Sequence, residues 1–72
     1  MSVVFGPILR KTGGYGYESF APEFGHDDGA TYRRIEDAIY AQRAEASRGG
    51  VLCRTVDEFR SYLTRWSEVV AA

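Results

Sequence analysis

The sequence predicts an α+β fold: a two-layer sandwich in which a small sheet, in the order β-β-α-β-α, carries two helices on one face. Three observations predict it. Six of the eight glycines lie in residues 6–29, interleaved with aromatic residues, a composition of strands and turns. After Gly29 the apolar spacing changes from alternation to the helical period. The Gly49-Gly50 pair then separates this segment from a second, stronger helical pattern.

Val3-Val4-Phe5 opens a strand that continues through Ile8-Leu9. Pro7 has no N–H to give a ladder, so this strand belongs at an edge or carries a bulge near Gly6-Pro7. Lys11-Thr12-Gly13-Gly14 suits a hairpin loop, because glycine accepts the positive φ of tight turns. The returning strand runs from Tyr15 to Ala21. Alternation puts Tyr15, Tyr17, Ser19 and Ala21 on one face and Gly16, Glu18 and Phe20 on the other. Pro22 to Gly29 reads as a loop.

Helices are expected near residues 32–48 and 56–70. In the first, Tyr32, Ile35, Ala38, Ile39 and Ala46 form a stripe interrupted by Gln42, with Arg33 and Asp37 as an i,i+4 pair and Gly49 as the stop. Val51-Leu52-Cys53 suits a third strand. Thr55 with Glu58 makes a capping box, and Phe59, Tyr62, Leu63, Trp66, Val69 and Val70 follow at helical spacing. Packing both helices side by side, with Trp66 as a core anchor, leaves the opposite sheet face thinly covered. Function is expected on that bare face.

Seventy-two residues make one domain, spanning 1–72, since either half would be too small for its own core. The net charge of −1 fits neither a histone-like binder nor an acidic nucleic-acid mimic. Cys53 is the single cysteine, which excludes an internal disulfide and a cysteine-based zinc cage. Neither a signal sequence nor a membrane-length apolar run is read, so the expected site is cytoplasmic, with no membrane partner.

Candidate chemistry is sparse, and no enzyme, cofactor or metal is expected. His26-Asp27-Asp28 could bind a divalent ion or serve acid–base chemistry, but adjacent side chains rarely converge, and it reads as a polar turn before a helix. Cys53, in an apolar run, reads as a buried thiol. No phosphate-binding glycine loop lies between a strand and a helix.

The sharpest local pattern is Gly13-Gly14-Tyr15-Gly16-Tyr17-Glu18-Ser19-Phe20. Gly14, Tyr15, Gly16, Tyr17 and Phe20 resemble the RNP1 octapeptide of RRM domains and the Gly-Tyr-Gly-Phe stretch of cold-shock domains. The resemblance implies aromatic rings on an open sheet face that stack on exposed bases, with Arg10 and Lys11 placed to meet phosphates. Gly13 stands where RNP1 has a basic residue, and Glu18 where it has an aliphatic one. Three readings of the segment stay open: a core strand, a protein-binding strip, or a nucleic-acid platform. Arg33-Arg34 opposes the dipole at a helix start, which hints at an acidic partner.

The expected function is a small non-catalytic protein-interaction module. It would regulate or inhibit by occupying a surface on a larger protein or protein–nucleic-acid complex, using Tyr15, Tyr17, Phe20, Arg10, Lys11, Arg33 and Arg34. Phage-encoded inhibitors of the anti-CRISPR type are similar in kind, without a shared motif. The alternatives are a single-stranded RNA or DNA binder using the aromatic face, and an accessory subunit that forms a homodimer through it.

Overall fold

The computed structural model describes the backbone of residues 3–71 and the side chains of residues 3–65. The chain runs β1 (Val3–Phe5), β2 (Leu9–Lys11), β3 (Gly14–Gly16), β4 (Ser19–Ala21), β5 (Gly25–Asp27), α1 (Ile35–Ala46), β6 (Gly50–Leu52), α2 (Val56–Ala71). Four strands form a sheet in the order β5-β4-β1-β6, and β2 and β3 pair as a separate hairpin. β1 is antiparallel to β4 and parallel to β6. The fold is α+β with both helices packed against the sheet, as the sequence predicts.

The strands are shorter and more numerous than expected. Gly6-Pro7 ends β1 outright, because Pro7 cannot donate, and the chain leaves the sheet for the hairpin. The predicted strand Tyr15–Ala21 breaks at Tyr17-Glu18, so β3 belongs to the hairpin and β4 to the main sheet. The predicted loop 22–29 contains an edge strand. A turn closed by Phe24 N donating to Ala21 O at 3.1 Å returns the chain as β5.

Both helices pack against the sheet, and they do so through different residues of β1. Val4 and Phe5 are consecutive on β1 and point to opposite sides, yet both are buried, at 3% and 4% exposure. α2 covers the Val4 side, where Val4, Phe20, Cys53 and Phe59 form one cluster packed by Val51, Tyr62 and Leu63. α1 serves the Phe5 side. Its Gln42 amide donates to the Gly6 carbonyl at 2.7 Å, and its Glu45 accepts from the Tyr17 hydroxyl at 2.6 Å. The Tyr17 ring in turn meets Phe5 edge-on at 6.1 Å between centroids. Phe5 and Tyr17 on that side are therefore covered, while Leu52 on the same side is exposed.

α1 starts at Ile35, three residues later than predicted, because Tyr32 is held in extended pairing with Tyr15. Arg34 occupies the N-cap without a side-chain cap bond. Arg33 thus precedes the helix, and no ion pair joins it to Asp37 among the described residues. Gln42, read as an interruption of the apolar stripe, is buried at its centre beside Ala38, while Ile35 is exposed. Gly49, at φ +107°, ends the turn after α1 as expected.

α2 has the cap the sequence predicts. Glu58 N donates to Thr55 Oγ1 at 3.1 Å, and Glu58 Oε2 accepts from the Arg54 N–H at 3.1 Å. Thr55→Ala should therefore cost about 0.5–2 kcal/mol, read as a lower midpoint in urea with an unchanged slope. The side chains of Trp66, Val69 and Val70 lie outside those described. No described helix is long and apolar enough to cross a membrane.

Candidate functional site

Two of the seven expected partner residues belong to the core. Tyr17 is 6% and Phe20 8% exposed: Phe20 sits in the cluster under α2, and Tyr17 between Phe5 and α1. The glycines of the RNP1-like segment also serve packing rather than base exposure. A Cβ on Gly14 would overlap the carbonyl of Tyr32, and one on Gly16 would stand 2.6 Å from the carbonyl of Ala30. Gly14-Tyr15-Gly16 lets the 30–32 backbone lie directly along β3. An open aromatic sheet face, which the RRM and cold-shock resemblance requires, is not formed by Tyr15, Tyr17 and Phe20.

Lys11 is also redirected. Its stem crosses Gly16 and its ammonium donates to the backbone carbonyls of Asp28 and Gly29, so it straps the 28–29 segment to the hairpin. What remains of the predicted set is brought together by backbone pairing. Arg10 is the cross-strand partner of Tyr15, with its guanidinium 6.0 Å from the ring centroid. Tyr15 and Tyr32 exchange two backbone hydrogen bonds, both 2.7 Å, and Arg33-Arg34 follow directly. Arg10, Arg33 and Arg34 are exposed, and none has a carboxylate partner among the described residues. An arginine-rich patch with an aromatic edge results, built on the hairpin and the start of α1.

Beside it lies a polar cleft of about 300 Å³, lined by Tyr17, Ser19, Asp27, Tyr32 and Glu45 with the 29–30 backbone. The Tyr17 phenol is pushed well above its ordinary range, first by burial, then by its bond to Glu45 and the charge there, and by Tyr32. It stays a protonated donor, which suits it to positioning and not to nucleophilic or base chemistry. No sequence signal links Tyr17 to Glu45, 28 residues apart.

His26-Asp27-Asp28 is not a turn. The register pairs Phe20 with His26 and Ser19 with Asp27, so His26 and Asp28 share one side of the ladder and Asp27 lies on the other. Glu18 directly precedes β4 and Asp28 directly follows β5, next to the Ser19–Asp27 pair that ends the ladder. His26 Nε2 lies 2.8 Å from Glu18 Oε1 and 3.8 Å from Asp28 Oδ1. The imidazole also packs on Phe59, with centroids 6.2 Å apart. Cys53 is buried, and burial, then the charge of Glu58, pushes its thiol up, as befits an inert core residue.

Compared with protein-family models, curated proteins and solved structures, the chain matches none.

Proposed function

We propose that this chain is a non-catalytic interaction module, a small regulator or inhibitor that lays a cationic surface on an acidic surface of a larger partner protein. One observation carries the reading: Arg10, Arg33 and Arg34 converge on the Tyr15–Tyr32 pairing, exposed and without carboxylate partners among the described residues. Two arginines before the positive end of α1 are unfavourable to the helix dipole, and Glu36 and Asp37 in its first turn offset that without pairing with either guanidinium. Planar guanidinium groups beside a tyrosine are favourable chemistry for recognising carboxylates at an interface.

The test is charge reversal. Arg10→Glu with Arg33→Glu and Arg34→Glu should abolish capture of a partner from native lysate without lowering stability, since acidic residues before α1 suit its dipole. Nuclease treatment of the lysate should not diminish capture by the wild type. Capture by the triple variant at wild-type level would remove the proposed surface. Capture that disappears with nuclease would instead favour the single-stranded nucleic-acid alternative, with phosphates taking the place of carboxylates.

A further inference from the structure

We propose that Glu18, His26 and Asp28 form a binding site for a divalent transition-metal ion of the zinc type, separate from the arginine patch. Each residue offers one ligand atom, and the three atoms lie within 4.8 Å of one another. Metal–ligand bonds of about 2.0–2.1 Å in tetrahedral geometry hold ligand atoms roughly 3.4 Å apart. The His26–Glu18 and His26–Asp28 separations, 2.8 and 3.8 Å, bracket that spacing.

The convergence has a structural cause. His26 lies on β5 and Asp28 just beyond its end, and the Ser19–Asp27 pair that closes the β4–β5 ladder brings the adjacent Glu18 and Asp28 near each other. The groups around the cluster fix it. Phe59 packs on the His26 ring, Lys11 holds the Asp28 carbonyl, and Asp27 Oδ1 accepts from Gly29 N at 2.6 Å to close the following turn. Phe20, the cross-strand neighbour of His26, is anchored in the core, so the platform beneath the ligands is rigid.

The donor set selects the ion. One imidazole nitrogen with two carboxylate oxygens suits borderline ions such as Zn²⁺ or Co²⁺, whereas Mg²⁺ and Ca²⁺ take all-oxygen shells. Two of the ligands are well exposed, His26 at 42% and Asp28 at 83% of the side chain, so the site opens outward. That leaves a coordination position for water or for a donor from another molecule. A bound cation also relieves the repulsion of two carboxylates placed on one side of the ladder. Occupied, the site would staple edge strand β5 to β4 and stabilise the fold by linkage.

His26 is the single histidine of the chain, so its imidazole resonances report on the site without ambiguity. Untagged full-length protein, stripped with chelator, is titrated with Zn²⁺ by calorimetry and NMR, and with Co²⁺ by visible absorption. The expected result is 1:1 binding in the micromolar range or tighter, with shifted His26 resonances, a Co²⁺ d–d band and a raised melting temperature. Equal concentrations of Mg²⁺ should shift nothing. Loss of an outer-shell partner alone weakens metal sites about 10–100-fold, so Glu18→Gln and Asp28→Asn should each weaken Zn²⁺ binding by at least about tenfold. Both substitutions keep shape and exposure, and circular dichroism checks that the fold is retained. Unshifted His26 resonances in excess Zn²⁺ would overturn the proposal. So would an affinity unchanged in both variants, since the ion would then sit on His26 alone or elsewhere.

Discussion

Phe59→Ala should cost about 3–5 kcal/mol, enough to leave most of the protein unfolded at ambient temperature. Phe59 is 2% exposed and stands in the first turn of α2, at the centre of the cluster with Val4, Phe20 and Cys53. The ring reaches as far as Gly6, where a Cβ would meet it at ordinary van der Waals contact, 3.4 Å. The strands are three residues each, so their ladders contribute few hydrogen bonds and the sheet depends on the side chains packed across it. A single core of this size supplies only about 3–5 kcal/mol in total, which makes one lost anchor comparable to the whole margin. Phe24→Ala is the matched control. That ring is 90% exposed in the β4–β5 turn, and its removal should change stability by less than about 0.5 kcal/mol. Urea unfolding of the three proteins side by side decides the matter. A cooperative Phe59→Ala transition within about 1 kcal/mol of wild type would mean that α2 does not seat its first turn on the sheet.

Helical periodicity and end signals were legible in the sequence because they are local. The Thr55–Glu58 cap, the start of α2, the turn at Gly49 and the buried Cys53 all follow from residues within four positions of each other. Which face a strand shows, and to what, depends on partners far along the chain. Tyr15 to Ala21 alternates as one strand would, yet the break at Tyr17-Glu18 sends its halves into different sheets. Val3-Val4-Phe5 carried the missed signal: a continuous apolar run marks a strand covered on both faces, as parallel pairing with β6 usually requires. The candidate site was legible in part for the same reason. Arg10 and Tyr15 are opposite each other across a short hairpin, whereas Tyr32 and Arg33-Arg34 join them only through a pairing 17 residues away in sequence. Glu18 could join His26 and Asp28 only once the turn at Phe24 had set the β4–β5 register.

Tyr17 is where the core and surface readings of the aromatic segment differ most. Tyr17→Ala should cost about 3–5 kcal/mol, as for other buried aromatic rings, because it empties the space between Phe5 and α1. Tyr15→Ala, on a half-buried ring at the edge, should cost about 1 kcal/mol. Tyr17→Phe isolates the hydroxyl. It keeps the ring but removes the 2.6 Å bond to Glu45, and it should cost about 0.5–1.5 kcal/mol, toward the low end because the exposed Glu45 carboxylate regains water. The hydroxyl also leaves a pH signature. Folding raises the Tyr17 pKa above the ordinary value of about 10, so the neutral phenol is favoured in the native state. That contribution is complete below about pH 10 and is lost as the pH climbs from there toward the folded-state value, where the unfolded chain ionises first. Stability of the wild type should therefore fall more steeply above pH 10 than that of Tyr17→Phe, and the two curves should run parallel below it. Denaturation curves for wild type, Tyr17→Phe and Tyr17→Ala, collected from neutral pH upward, measure both effects. A Tyr17→Ala protein as stable as wild type at neutral pH would return Tyr17 to the surface and reopen the aromatic face as a binding platform.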